Sequence, residues 1–283
     1  MHFRTFAVFA LTLAVFMAIP ATAGPFLFNS GSPDGRMAMA ARPDTGPGTE
    51  IEAADDFILP FKTVINHGTF TGLIPIGVPL SSISSVDVEI YRVFPLDSVN
   101  PPSGMVPTRV NSPSDNAFDS RASGSNLTFT ASLLSGSFSA ANSVLNGINK
   151  IPGQTTGGEG ARTGQEVLVN VNFTTPFTLD PDHYFFVPQV HLTTGDFFWL
   201  SVARPIVGAG TTPFAPDLQA WIRNANLDPD WLRVGTDIVG GATAPTFNAA
   251  FTLDGTQTPE PGTLALFASG LALLYLRTRK RSL

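Results

Sequence analysis

The sequence predicts an all-β fold, a single antiparallel β-sandwich or jelly-roll-like domain, and three observations carry that prediction. Apolar and polar residues alternate with a period of two, most clearly where Val86, Val88 and Ile90 interleave with Asp87, Glu89 and Tyr91. Roughly eight such runs follow one another at short spacing with no helical pattern between them, which excludes a βαβ plan and favours a sandwich. The chain holds 26 Gly and 24 Pro, and charged residues make up only 13% against the usual ~25%. That mixture suits short strands joined by many turns.

Taken in order, the segment 24–50 is rich in Gly and Pro, shows no apolar period, and is expected to be an extended lead-in. Strands are expected over Phe57 to Ile65 and Thr69 to Ile74, with Asn66-His67-Gly68 as the turn between them. The alternation from Ser85 to Phe94 marks a half-buried strand. A long insertion, Asn100 to Asp119, follows, and loops of that length usually carry function. Strands resume with Leu127, Phe129, Ala131 and Leu133. After a Gly-rich loop from Gly147 to Gly164 comes another with Val167, Val169, Val171 and Phe173. Tyr184 to Val190 and Phe197 to Val202 read as a hairpin around Thr194-Gly195-Asp196, with Trp199 in the core. Asp217 to Asn226 reads as a helical turn or two, and Phe247, Ala249, Phe251 and Leu253 supply the last strand.

Both ends differ from this body. The first 23 residues have His2 and Arg4, an apolar run from Phe6 to Ile19, and then Ala21-Thr22-Ala23. A basic start, a short apolar stretch and an A-x-A site describe a secretory signal helix cut after Ala23. At the far end, a linker over 255–261 contains Pro259-Glu260-Pro261. An uncharged stretch over 262–276 is expected to form a short transmembrane helix, and a basic cytoplasmic tail over 277–283 carries Arg277, Arg279, Lys280 and Arg281. Fifteen residues at ~1.5 Å each reach about 23 Å, short of a ~30 Å hydrocarbon core. The basic cluster keeps its end in the cytoplasm, so everything before Pro259 is expected outside it. The domain proper is expected over 51–254.

Pro-Glu-Pro, a short apolar helix and an Arg-rich end, in that order, resemble the PEP-CTERM sorting signal of Gram-negative bacteria. The resemblance implies recognition by an exosortase, an integral-membrane cysteine transpeptidase. It would cut near Pro259-Glu260-Pro261 and pass an inner-membrane-anchored precursor on to the cell surface or an exopolysaccharide matrix. The phrases beginning at Ala53 (AADDF), Val88 (VEIYRVFP), Thr163 (TGQEVLVNVNFTTPFTL) and Asp228 (DPDWLRVGTDIVGG) also resemble the body of PEP-CTERM surface proteins. That second resemblance implies an exported β domain and assigns no catalytic residue.

Charge and composition bound the chemistry. Without Arg4 and the tail cluster the 16 Lys and Arg fall to 11, and without Glu260 the 22 Asp and Glu fall to 21, so the body carries about −10. An acidic body is a poor partner for nucleic acid, whose phosphates need a basic surface. There is no cysteine, hence no disulfide and no thiol chemistry. No nucleophile, metalloprotease, P-loop or dinucleotide motif is present, and no catalytic residue is assigned. His67, His183 and His191 read as turn or strand-surface residues; the last two lie ~26 Å apart along one strand and cannot share a metal.

Two L-D-P-D phrases contribute Asp180, Asp182, Asp228 and Asp230. They read as turn chemistry, with Ca²⁺ the alternative because such carboxylates are hard oxygen ligands, and Asp55 and Asp56 are further candidates. Trp221 and Trp231 flank a polar loop, either pinning it or forming a sugar platform. The expectation is therefore a non-enzymatic structural or adhesive surface protein needing no cofactor. Its partners are the exosortase, the membrane before processing, and extracellular polysaccharide. A carbohydrate-binding module or polysaccharide-active enzyme is the alternative.

Overall fold

The computed structural model describes residues 23–44, 49–100, 104, 106–148, 155–205 and 217–258. Fifteen strands run through them. In chain order they are β1 Gly24–Asn29, β2 Pro33–Ala40, β3 Ile51–Leu59, β4 Thr63–Ile74, β5 Ile83–Arg92, β6 Asp119–Ala122, β7 Leu127–Ala140, β8 Asn142–Val144, β9 Arg162–Leu179 and β10 Asp182–Leu192. They continue with β11 Phe198–Val202, β12 Trp221–Asn224, β13 Leu232–Arg233, β14 Asn248–Ala249 and β15 Phe251–Gln257.

The strands form two sheets. In the six-stranded sheet the order is β13-β12-β3-β10-β5-β6. The nine-stranded sheet is built on β4, which pairs β9 along one edge and β15 and then β11 along the other. From there β7 lies outside β9, β1 outside β15, and β2 and β8 outside β11, with β14 also on β11. All the strand pairs are antiparallel except β2 with β8. At the C-terminal end of β7 the chain meets β2, the Ala141 N–H donating to the Gly35 carbonyl at 2.8 Å.

The alternation seen in the sequence builds the core. Val86, Val88 and Ile90 of β5, Tyr184, Phe186 and Val190 of β10, and Phe70, Trp199 and Phe251 from the opposite sheet are all buried in one cluster. The Phe186 and Phe251 rings stack across the two sheets at 5.1 Å, and Trp199 meets Phe251 edge-on at 5.7 Å. The indole N–H of Trp199 donates to the Ala250 carbonyl at 2.8 Å, so this core tryptophan leaves no donor unpaired. Each such aromatic side chain contributes about 1.5–3 kcal/mol by burial alone.

Four expectations are corrected. The lead-in segment is not outside the domain: it supplies β1 and β2, because β1 adds to β15 from Gly24↔Gln257 to Asn29↔Thr252 and Met37–Ala40 of β2 is buried between β11 and β8. Asn66-His67-Gly68 is not a turn but lies within β4, where the pairing to β9 slips by a bulge between Ile65 and His67. β10 and β11 are not a hairpin, since they belong to different sheets and Thr194-Gly195-Asp196 lies on a crossover. Asp217 to Asn226 is not helical: Trp221–Asn224 pairs β3 as β12.

The expected signal helix and transmembrane helix lie outside the described residues, apart from Ala23. Among the described residues, no helix is long and apolar enough to cross a membrane.

Candidate functional site

The outer face of the six-stranded sheet carries a group of buried charged side chains. Side chains one residue out of step with the core point there: Glu52, Ala54 and Asp56 from β3, Asp87, Glu89 and Tyr91 from β5, His183, Phe185, Val187 and Gln189 from β10, and Trp221 and Arg223 from β12. Solvent does not cover this face throughout. Leu218, Trp221 and Trp231 join Ala54, Tyr91, Val93, Phe185 and Val187 in a second, smaller apolar cluster.

Arg223 is the centre of a polar network beneath that cover. Its Nε pairs with Glu52 Oε2, and its Nη2 donates to the Tyr91 hydroxyl oxygen at 2.9 Å. Nη1 reaches the Asp115 carbonyl at 3.1 Å and the Asp228 carboxylate at 2.8 Å. The guanidinium also lies 4.3 Å from the Trp231 ring centre, a stacking that a planar cation suits. Burial opposes the charge on Arg223, yet Glu52, Tyr91 and Asp228 together outweigh it and its pKa is raised.

The Tyr91 hydroxyl stands 2.7 Å from Glu52 Oε1 and 2.7 Å from Glu89 Oε2. A phenol has one proton and can donate to only one of them. The remaining short contact is satisfied when one carboxyl is itself protonated. Glu89 takes that role, since burial, followed by the Glu52 charge, pushes it up to about 7. Glu50 and Asp87 beside it are raised as well, chiefly by burial. The result is a proton-sharing pair of carboxyls pinned by an arginine.

A second cluster lies where β3 meets β10 and β14. Adjacent on β3, Asp55 and Asp56 point to opposite faces. Asp55 Oδ2 accepts the Ala249 N–H at 2.8 Å, whereas Asp56 Oδ2 lies 2.6 Å from His183 Nε2 and Asp56 Oδ1 accepts the Leu218 N–H at 2.9 Å. Asp217 receives Asn248 Nδ2 at 3.1 Å and Arg204 Nε at 2.8 Å, and burial, followed by the Asp56 charge, pushes it up to about 6. Burial also raises Asp55 and Asp56.

The residues singled out from the sequence fall as follows. Trp221 and Trp231 are each 1% exposed, so of the two alternatives the sugar platform falls away: neither indole presents an open face, and Trp231 Nε1 instead donates to the Ser114 carbonyl at 3.2 Å. His183 is fully buried, not on the strand surface, while His191 is half-buried with Nδ1 2.8 Å from Ser84 Oγ. The L-D-P-D carboxylates do not converge. Asp180 pairs with Lys62 at 2.9 Å, Asp182 lies 3.6 Å from Arg92, Asp228 pairs with Arg223, and Asp230 pairs with Arg109, which also holds Asp115. Among the described residues no three acidic or histidine side chains gather as a metal site.

Sequence reasoning missed Glu52, Glu89 and Tyr91 as a unit. The available signal was the alternation itself, which puts Glu89 and Tyr91 on one outward face.

The sorting residues Pro259, Glu260, Pro261, Arg277, Arg279, Lys280 and Arg281 lie outside the described residues, as does Ala21. Ala23 is exposed at the start of β1. The last described residue, Thr258, donates its N–H to the Lys62 carbonyl at 2.7 Å, immediately after Gln257 pairs with Gly24. Residues 257–280 match a family model described as the PEP-CTERM protein-sorting motif. No curated protein and no solved structure matches the chain.

Proposed function

From a chain whose residues 257–280 carry the PEP-CTERM protein-sorting motif, and which is thereby an exported exosortase substrate, we propose a non-catalytic structural or adhesive protein of the cell surface or its exopolysaccharide matrix. The supporting observation is the placement of the motif. It begins at the last residue of β15, Gln257, whose pairing partner Gly24 opens β1. Both ends of the domain therefore leave from one sheet edge, which leaves the remaining surface free to face outward while the tail is handled at the membrane. The signal peptide ending at Ala23, the short transmembrane helix over 262–276 and the basic lock from Arg277 to Arg281 belong to the same reading. So do delivery to polysaccharide and function without a cofactor.

The test is processing. Surface-extracted protein is expected to have an intact mass lacking the segment 262–283, and replacing Pro259-Glu260-Pro261 by three alanines is expected to leave an uncut, membrane-bound form. A surface protein still ending at Leu283 overturns the reading.

A second reading, a polysaccharide-active enzyme delivered the same way, has one observation in its favour: Glu89, pushed up to about 7 chiefly by burial, is a carboxyl of the kind that serves as general acid on a glycosidic bond. Release of reducing ends from exopolysaccharide, lost in Glu89→Gln, would replace the structural reading with this one.

A further inference from the structure

We propose that the free edge of β7 is a self-association surface, through which two copies of this chain pair antiparallel and join their nine-stranded sheets across a two-fold axis. An edge strand presents a row of unpaired N–H and C=O groups, and proteins guard such edges with charge, proline or short length. The other strands with a single partner follow that rule. β1 carries Pro25, β6 is four residues long with Asp119 and Arg121, β8 has three residues, and β13 and β14 have two each. β7 does not follow it. Its fourteen residues, LTFTASLLSGSFSA, contain no charge and no proline.

The open part of that edge is definable. From Leu127↔Phe173 to Leu133↔Val167 the pairing of β7 with β9 is unbroken, and beyond Leu133 the register shifts twice. The C-terminal end is closed off where Ala141 bonds Gly35. Among the described residues, Thr128 to Leu134 make no backbone hydrogen bond except to β9. Thr128, Thr130 and Ser132 are exposed, and Leu133 and Leu134 are 50% and 52% exposed.

A second copy fits this edge better than a different partner for two reasons. The body carries about −10, so copies repel over most of their surface and least along an uncharged strand. Since every other edge among the described residues is short or guarded, the open edge of one copy is matched there by the same edge of another, which is the condition for a closed two-fold pair. Leu127 is bridged to Ser123, so the stretch that is both open and unbroken pairs from Thr128 to Ser132, with Thr130 at its midpoint. Pairing about it sets Thr130 opposite Thr130 of the second copy and Phe129 opposite Ala131, a favourable cross-strand set. The inference rests on the surface-protein reading only for the crowding of copies at one surface, and its test does not use sorting.

Thr130→Cys decides it, because the chain has no cysteine and any disulfide must join two copies. Directly opposed strand residues have Cα atoms ~4.5–5.5 Å apart, within disulfide reach. In purified full-length protein treated with oxidised glutathione, Thr130→Cys is expected to cross-link at least about tenfold faster than Thr193→Cys, an exposed site on the crossover. Without oxidant, Thr130→Lys places two like charges across the axis and is expected to weaken the dimer about tenfold or more in sedimentation. Its far-UV dichroism should be unchanged, and Thr130→Glu should do the same with the opposite charge. Equal cross-linking at both positions, a dimer that survives Thr130→Lys and is therefore held elsewhere, or a monomer at every concentration overturns the proposal. Faulty sorting would show instead as a wrong mass or location, with the cross-linking unaffected.

Discussion

Replacing Glu89 by Gln should flatten the acid-to-alkaline loss of stability of this protein. Glu89 is raised from 4.5 to about 7 in the folded chain, first by burial and then by Glu52. Between those two values the folded state holds a proton that the unfolded state has released, so stability falls as pH rises through that window. Below 4.5 the group contributes its full share, and above about 7 that share is gone. At ~1.4 kcal/mol per pH unit the rise corresponds to about 3 kcal/mol. Glutamine keeps the shape and supplies the donor that a protonated Glu89 would, but cannot ionise against Glu52. Denaturant melts at pH 4.5 and pH 8 should therefore show the wild type losing about 3 kcal/mol more than Glu89→Gln between the two. Glu50, Asp87 and Asp217 are raised too, and they slope both proteins alike, so the difference isolates Glu89. Parallel pH profiles for the two proteins would refute the proton-sharing account of Tyr91, Glu52 and Glu89.

Arg223→Met leaves Glu52 buried without its cation and should cost about 3–5 kcal/mol by chemical denaturation, whereas the double change with Glu52→Leu should recover much of that loss. Trp221→Ala and Trp231→Ala should each cost about 3–5 kcal/mol, because both rings are buried; near-neutral melting temperatures would show the indoles to be surface groups after all. Gly72→Ala should destabilise by about 1–3 kcal/mol, since a Cβ there would lie 2.2 Å from the fully buried Phe197 ring. Burial opposes the charge on Glu159, but the N–H groups of Leu145, Gly147 and Asn146 on one oxygen, with Arg162, outweigh it and lower its pKa. Its stabilisation is present above the ordinary 4.5 and lost on acidification, so Glu159→Gln should narrow the acid-side stability difference in thermal melts.

The strands that are legible in the sequence are those with one wet face or one apolar face. β5 alternates cleanly, and the stretch of β9 from Val167 to Phe173 does the same, so both are found by period. What period cannot give is partnership. Tyr184 to Val190 and Phe197 to Val202 look like a hairpin because each is apolar and a Gly lies between, yet they face each other across the core from opposite sheets. Asp217 to Asn226 lacks an alternation because both faces of β12 are covered, Ile222 by the main core and Trp221 by the second cluster. The charged site was half visible. Glu89 and Tyr91 share an outward face by parity, but Arg223 comes from 132 residues beyond Tyr91, and Trp231 reaches in from a loop to lie under the Arg223 guanidinium and meet Tyr91 edge-on. Only the tertiary fold turns an outward face into a buried one.

The pairing of β1 with β15 joins residues at opposite ends of the chain, Gly24 with Gln257. Such a pair forms only after everything between has emerged, and its loop-closure cost is met by the rest of the sandwich already in place. On the surface-protein reading, the sorting motif has then just followed β15 to the membrane. The last strand to close would thus stand next to the motif, with Thr258 tied to the Lys62 carbonyl. A body exported only in part would lack β15 and leave β1 without its one strand partner and β4 without one of its neighbours. The same geometry sets β7 apart from the two ends of the domain: β15, β4 and β9 lie between β1 and β7 in the sheet. On the surface-protein reading, an edge that far from the two ends of the domain can meet another copy without disturbing the β1–β15 pair that precedes the sorting motif.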